Sequence, residues 1–225
     1  MQYHVEALFT HDADGSLLRV NEPDGAPAPR FFLGRTVDAT LLGFRHDVGQ
    51  DARRALRAAA KNHARAEHHL ESPIEPAPYQ DILARFAPVT RTWTGPAFSF
   101  PDKLPVPAGV VPVTEANVQL LRPFFEGWIP DVRQCQPMFV VAVDGQAVSL
   151  CGSVRQTNMA HEAGVETAAP HRGRGYAVRV VAAWARTMHD TGRVPLYSTS
   201  WENEASRAVA RSLALTLFGN DVHIS

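Results

Sequence analysis

The chain has 225 residues, 45% hydrophobic and 20% charged, with a net charge of −1; this is the balance of a globular protein that can bury a full core, which excludes a disordered tail or a disulfide-dependent scaffold. A charge so near zero sets up no long-range field toward nucleic acid or an anionic membrane, so neither is expected as a partner. Two cysteines (Cys135 and Cys151) without zinc-site spacing, no run near the ~20 apolar residues of a membrane span, and a start without signal-peptide character give a reduced, cytoplasmic setting as the expectation.

In chain order, residues 3–9 read as a strand, Asp12-Ala13-Asp14-Gly15 as a turn and residues 16–20 as the return strand of a hairpin. Residues 21–29, dense in Pro, Gly and Asp, form a loop, and residues 31–33 and 40–45 add short strands. Asp47 is placed to cap a helix over residues 50–67. On it Arg53, Arg57, Lys61 and Arg65 recur at spacing four and share one face. That face is either a phosphate-binding stripe or a solvated surface, and the near-neutral chain favours the second. His63, His68 and His69 lack the Cys or carboxylate partners of a known zinc spacing, so no metal is assigned. Prolines break the chain at Pro73, Pro76 and Pro78 and again at Pro101, Pro105 and Pro107. The second break, residues 100–112, reads as a linker between an α+β domain at 1–110 and a second domain at 111–225.

The second domain alternates strands and helices. Thr114 caps a helix through Phe125, with Asn117 where a capping box places Glu or Gln. Residues 138–143 and 146–154 flank Asp144-Gly145, the strongest hairpin signal in the chain. Residues 163–168 form a strand, a long helix runs from near Gly175 to His189, and Gly192 ends it. A strand at 195–200, a helix at 204–213 and room for one last strand complete the order.

The segment Gly164-Val165-Glu166-Thr167-Ala168-Ala169-Pro170-His171-Arg172-Gly173-Arg174-Gly175-Tyr176-Ala177 carries the chemistry. A strand runs into a glycine-spaced turn that opens onto an apolar helix. The first N–H groups of that helix have no internal acceptor and stand at the positive end of the helix dipole, which makes an anion site. Gly173 and Gly175 let the backbone approach a phosphate, and Arg172 and Arg174 add charge at the rim. A P-loop would need Gly-Lys-Ser/Thr, which is absent. A dinucleotide fingerprint would need a third glycine where Val178 stands, and a strand opening a βαβ unit rather than one preceded by a hairpin.

Strand, Arg-Gly-Arg-Gly turn and apolar helix together resemble the acetyl-CoA-binding motif of the GNAT acetyltransferases. The resemblance implies a mixed, mostly antiparallel sheet with flanking helices over residues 111–225, and acetyl-CoA as co-substrate without a metal. It implies that the strand splays from its neighbour, that Val165, Glu166 and Thr167 lie along the pantetheine arm, and that Arg172, Gly173, Arg174, Gly175, Tyr176 and Ala177 hold the pyrophosphate. Asn203, Ala205 and Ser206 match the family's Asn-x-x-Ser/Ala helix start, with Asn203 and Ser206 at the CoA arm.

The chain departs from the family at several points. Pro170 stands three residues before the first glycine, where Gln or Arg is usual. Ala210 occupies the place of the Tyr that protonates the departing thiolate in many members, and Leu213-Ala214-Leu215 replaces the usual Gly-Phe ending. Glu166, beside the expected thioester, is the candidate base, the competing reading being an ordinary cross-strand pair. Tyr197 is the substitute acid, and His161 and Glu162 are weaker candidates. The expected activity is acetyl transfer to an amine on a small molecule or a protein, with the N-terminal domain shaping the acceptor side or standing as a degenerate copy of the same fold. The alternative is a non-catalytic acyl-CoA-binding or interaction module.

Overall fold

The computed structural model describes residues 1–63 and 70–225, the side chains of Asn62 and His63 excepted. Its first elements are α1 (Gln2–Leu8), β1 (Phe9–His11), β2 (Leu17–Val20), β3 (Phe31–Arg35), β4 (Thr40–Phe44), α2 (Gln50–His63), α3 (Ala77–Ala84) and β5 (Thr92–Ser99). After them come β6 (Val110–Val113), β7 (Met138–Val143), β8 (Gln146–Gln156), β9 (Ala160–Thr167), α4 (Tyr176–Asp190), β10 (Val194–Ser198), α5 (Glu204–Ser212) and β11 (Thr216–Ile224). No helix among the described residues is long and apolar enough to cross a membrane.

The chain forms two compact units. One comprises Met1–Phe98, Ser198–Glu204 and Leu217–Ser225; the other comprises Ser99–Tyr197 and Ala205–Thr216. The division expected near residue 110 therefore falls at Phe98, and the last strand returns to the first unit. Strand pairing is the reason: Asn220 to Ile224 of β11 run antiparallel to Arg35 to Phe31 of β3, a long-range register that no local pattern marks.

In the first unit the strand order is β4-β3-β11-β5, with β1 and β2 paired separately. The consecutive apolar run Phe31-Phe32-Leu33 belongs to a strand covered on both faces. Phe31 and Leu33 pack with Leu56, Tyr79, Leu83 and Val222, while Phe32 packs with Val5, Leu8 and Leu17. Residues 3–9, expected as a strand, form α1 up to Leu8. The buried positions His4, Val5, Ala7 and Leu8 follow the one-sided pattern of a helix, not strand alternation. On α2, Arg53 donates to the carbonyls of Val48 (2.8 Å) and Arg45 (3.0 Å), and Arg57 lies 4.7 Å over the Phe44 ring. Half of the basic stripe thus serves its own unit. Arg65, His68, His69 and the His63 side chain lie outside the described residues.

In the second unit the order is β10-β9-β8-β7-β6, antiparallel except for the parallel pair β9–β10. Asp144 (φ 50°) and Gly145 (φ 77°) make the turn between β7 and β8 with positive φ at both positions, as a type I′ hairpin requires. The helix expected from Thr114 to Phe125 is instead a 3-10 helix, Glu115–Leu121. The capping box forms, Thr114 Oγ1 accepting from Ala116 N and Asn117 Oδ1 accepting from Thr114 N (2.8 Å). Asn117 itself leaves helical geometry (φ −129°), and Pro123 prevents continuation. A second 3-10 helix, Glu126–Trp128, follows. This segment covers one face of the sheet, where Leu121, Phe125, Val132 and Cys135 pack with Leu150. On the other face α4 lies against β7, β8 and β9, and Trp184 Nε1 donates to Ser153 Oγ at 2.9 Å.

A fully buried ion pair fixes α1 to β11 within the first unit. His4 Nε2 lies 2.7 Å from Asp221 Oδ2, and His223 Nε2 lies 3.1 Å from Oδ1. Burial alone would push the Asp221 carboxyl up; the charge and hydrogen bonds of His223 and His4 more than offset this and hold it at about 2. A free aspartate ionises near ~3.9. A group depressed in the folded state contributes stability that is whole above the unfolded value and is lost as pH falls toward the folded one. The free energy of unfolding by denaturant is therefore expected to decline from about pH 4 toward about pH 2. Asp221→Asn should start less stable at neutral pH and decline less over that window. Equal slopes for the two proteins would remove the pair from the account.

Candidate active site

The site begins where two strands part. β10 pairs with β9 through Val194↔Ala160, Pro195↔His161 and Leu196↔Glu162, and the pairing stops there. On its other edge β9 remains paired with β8 as far as Thr167↔Ser149. Ala168 N donates to Val148 O (3.0 Å), and successive residues of a strand turn their N–H and C=O to opposite edges. Glu166 and Gly164 therefore address β8, while Val165 and Thr167 address the side from which β10 has diverged. The Thr167 carbonyl accepts from Arg172 Nε at 3.2 Å; Val165 has no strand partner on that edge among the described residues. The splay expected of this strand is thus present in the register.

A short 3-10 turn, Ala169–His171, leads from β9 to the start of α4. Gly173 and Gly175 both adopt φ 73°, the left-handed region that glycine enters without penalty. Gly175 caps α4; no side chain caps that end and no acidic residue occupies its first turn. The first amides of the helix thus have no side-chain acceptor at the cap. A Cβ at either glycine would meet nothing within 4 Å, so the cradle opens outward. Arg172 and Arg174 are exposed at its rim, with Arg174 Nη2 bent back to the Pro170 carbonyl (3.4 Å). Tyr176 stacks under Arg179, whose guanidinium lies 5.7 Å from the ring and is anchored on Ala108 O.

Side chains of β9 divide between the faces of the sheet. Thr167 Oγ1 meets Ser149 Oγ (2.8 Å) on the α4 side. Glu166, opposite Leu150 in register, belongs to the face covered by the 3-10 segment. There its Oε2 accepts from Trp128 Nε1 at 2.9 Å. Gly164 makes room for the indole: a Cβ there would stand 2.9 Å from Trp128 Cη2 and would also collide with Val154. Trp128 was not among the expected site residues. The available signal was the pair of glycines inside strands, Gly152 and Gly164, which lie opposite each other and mark close approach by something else.

Tyr197 is buried, with its hydroxyl 2.6 Å from Ser206 Oγ on α5. Burial first of all raises its phenol to about 12, although the Ser206 hydrogen bond opposes the rise. The substitute acid and the expected CoA-arm serine are thus occupied with each other. Ala210 is buried in the same helix, and Asn203 is exposed just before it. His161 Nδ1 lies 2.9 Å from Ser153 Oγ, and burial, then Arg193, lower the imidazole. Glu162 is buried opposite Arg155. Neither His161 nor Glu162 stands with Glu166 beside the opened edge.

An exposed glycine turn at the start of α4 thus continues from an unpaired strand edge of β9. Residues 138–219, which contain both features, match the model of the GNAT acetyltransferase family. A GCN5-related N-acetyltransferase-like protein from Streptococcus suis is similar in structure over 89% of this chain and 85% of its own, with TM-score 0.52 and 14% identity. A protein from Novosphingobium aromaticivorans described as of the GNAT family is similar over 60% of this chain, with TM-score 0.50 and 21% identity; the match spans 65% of its length, a little under two thirds. At these identities the likeness concerns the fold, the mixed, mostly antiparallel sheet with flanking helices expected from the sequence. No curated protein matches the chain in sequence.

Because the space at Gly175 is open while its φ is left-handed, Gly175→Ala tests conformation alone. It is expected to cost ~1–2 kcal/mol in denaturant unfolding through strain at a positive φ. An unchanged stability would mean that the turn reaches its geometry without needing glycine.

Proposed function

We propose that the protein transfers an acetyl group from acetyl-CoA to an amine, by direct attack in a ternary complex. The observation that carries this reading is continuity: the unpaired edge of β9 runs, within one short turn, into the glycine cradle of α4. A pantetheine arm can pair with Val165 as an added strand while its pyrophosphate meets the amides of Gly175, Tyr176 and Ala177 at the positive end of α4. Arg172 and Arg174 flank it with charge, and Asn203 is assigned to the CoA arm on the family resemblance.

Acetyl-CoA supplies an activated acyl group as its thioester. The chain's part is to hold the amine close to it, since positioning replaces a bimolecular encounter, and to take up a proton. Glu166 is the group for the proton: exposed on the face of β9 opposite α4, with Oε1 free of any protein partner among the described residues. The buried, high-lying phenol of Tyr197 is poorly matched to proton donation near neutrality, so water is assigned to the thiolate and Tyr197 to anchoring α5. The acceptor class is an amine, on a small molecule or a protein. A second reading, a module that binds acyl-CoA without turnover, is favoured by one observation, buried Ala210 at the position of the family's tyrosine.

Acetyl-CoA is expected to raise the melting temperature, since a ligand of the native state stabilises it by mass action. Gly175→Asp should abolish that rise by setting a carboxylate against the phosphates; an undiminished rise would put the cradle elsewhere. Free-thiol release from acetyl-CoA with a panel of amines separates turnover from binding. With an amine that turns over, Glu166→Gln should lower kcat by ~10²-fold with acetyl-CoA affinity little changed. A retained rate with the same ascending pH limb would leave Glu166 a structural residue.

A further inference from the structure

Building on Glu166 as the base, we infer that Trp128 is its positioning residue: the indole N–H fixes one carboxylate oxygen and directs the other toward the acceptor amine. An exposed glutamate on a strand has several rotamers, and a base that moves among them spends only part of its time within reach of the attacking nitrogen. In this protein the side chain is held. Trp128 Nε1 donates to Oε2 at 2.9 Å, and an indole nitrogen can only donate, so the bond selects the carboxylate and cannot serve a protonated acid hydroxyl as acceptor.

Three features make this arrangement built rather than incidental. Trp128 is itself held, partly buried against the core formed by Leu121, Phe125 and Val132. Gly164, two residues from Glu166 on the same face of β9, provides the slot for the ring; any larger residue would drive a Cβ to 2.9 Å from Cη2. The charged neighbours Arg122 and Glu126 on the same segment are engaged with one another at 2.8 Å, and the indole is the donor to Glu166.

In the transfer step the nitrogen–carbonyl bond forms, the carbon–sulfur bond breaks, and the proton lost by the amine nitrogen passes to Oε1. Oε2 keeps its bond to Trp128 throughout, so the carboxylate need not reorient as it accepts the proton.

The test uses the full chain and two readouts. In the 15N-labelled protein the Trp128 indole resonance, assigned by its loss in Trp128→Phe, should move with pH as Glu166 is protonated and become independent of pH in Glu166→Gln. Identical behaviour in wild type and Glu166→Gln overturns the contact. Kinetics with kanamycin and spermidine as acceptor probes then give a double-mutant cycle. Trp128→Phe keeps an aromatic ring over Gly164 and should lower kcat by ~10-fold, the scale of a hydrogen bond to a charged group, with KM for acetyl-CoA changed less than about twofold. In the Glu166→Gln background the same substitution should cost less than about twofold, because coupled residues do not add. Equal losses in both backgrounds overturn the positioning role while leaving the base in place. A Glu166→Gln protein with wild-type kcat overturns the base itself and the positioning role with it. If neither probe turns over, the resonance readout decides.

Discussion

The structure of the site depends on one broken pairing. Backbone donors and acceptors of a strand are obligatory hydrogen-bonding groups, and β9 satisfies them along one edge with β8 up to Thr167 but along the other only to Glu162. The remaining edge is a place for another extended chain, the usual consequence of an unpaired strand. Because β9 keeps β8, the opening does not loosen the sheet. Because Arg172 takes the Thr167 carbonyl, the opening is bounded at its far end by the first residue of the cradle. The open edge and the glycine turn are thus one stretch of covalent chain, whose geometry follows from where β10 turns away.

The same strand sorts its chemistry by parity. Odd-numbered residues from Val165 to Thr167 turn their backbone to the opened edge and their side chains toward α4, where Thr167 is tied to Ser149. Even-numbered residues turn their backbone to β8 and their side chains toward the 3-10 segment, where Gly164 receives the indole and Glu166 its hydrogen bond. A period of two therefore separates the open backbone edge from the Glu166–Trp128 contact without separating them in sequence. A register slip of one residue would exchange them, putting Glu166 under the helix and its backbone at the open edge. The register is fixed by packing: Leu150, opposite Glu166, is buried in the core under the 3-10 segment.

How much of this could be read in the sequence follows from the range of each interaction. Asp144-Gly145 between two apolar runs, Gly173 and Gly175 before an apolar helix, and Thr114 with Asn117 are local signals, and each formed the turn or cap its residues dictate. The helix after Thr114 shortened to 3-10 turns because Pro123 lies where it would continue, and α1 appeared where alternation and helical spacing compete over only a few residues. Long-range pairings left no such trace. Nothing near Asn220 indicates that β11 will lie beside β3, so the boundary expected at 110 followed the prolines and missed the returning strand. Trp128 is hidden for the same reason: it reaches Glu166 across 38 residues, and only the glycine opposite it carries a mark of the meeting.

Ala210 in place of a tyrosine poses a question of energetics that the surrounding residues answer. A general acid is useful when its proton is available near the working pH. Tyr197, whose hydroxyl meets α5, is raised by burial to about 12 and is hydrogen-bonded to Ser206, whereas a free thiol ionises near ~8.5. Donating from such a phenol to a departing thiolate would run uphill. The thiolate, by contrast, tolerates its charge in water. The amine has no comparable freedom: it becomes positively charged as it attacks, and without a proton acceptor the new bond reverts. On the proposed reading, Glu166 held by Trp128 serves the side of the reaction where a proton must leave, and solvent serves the side where one arrives.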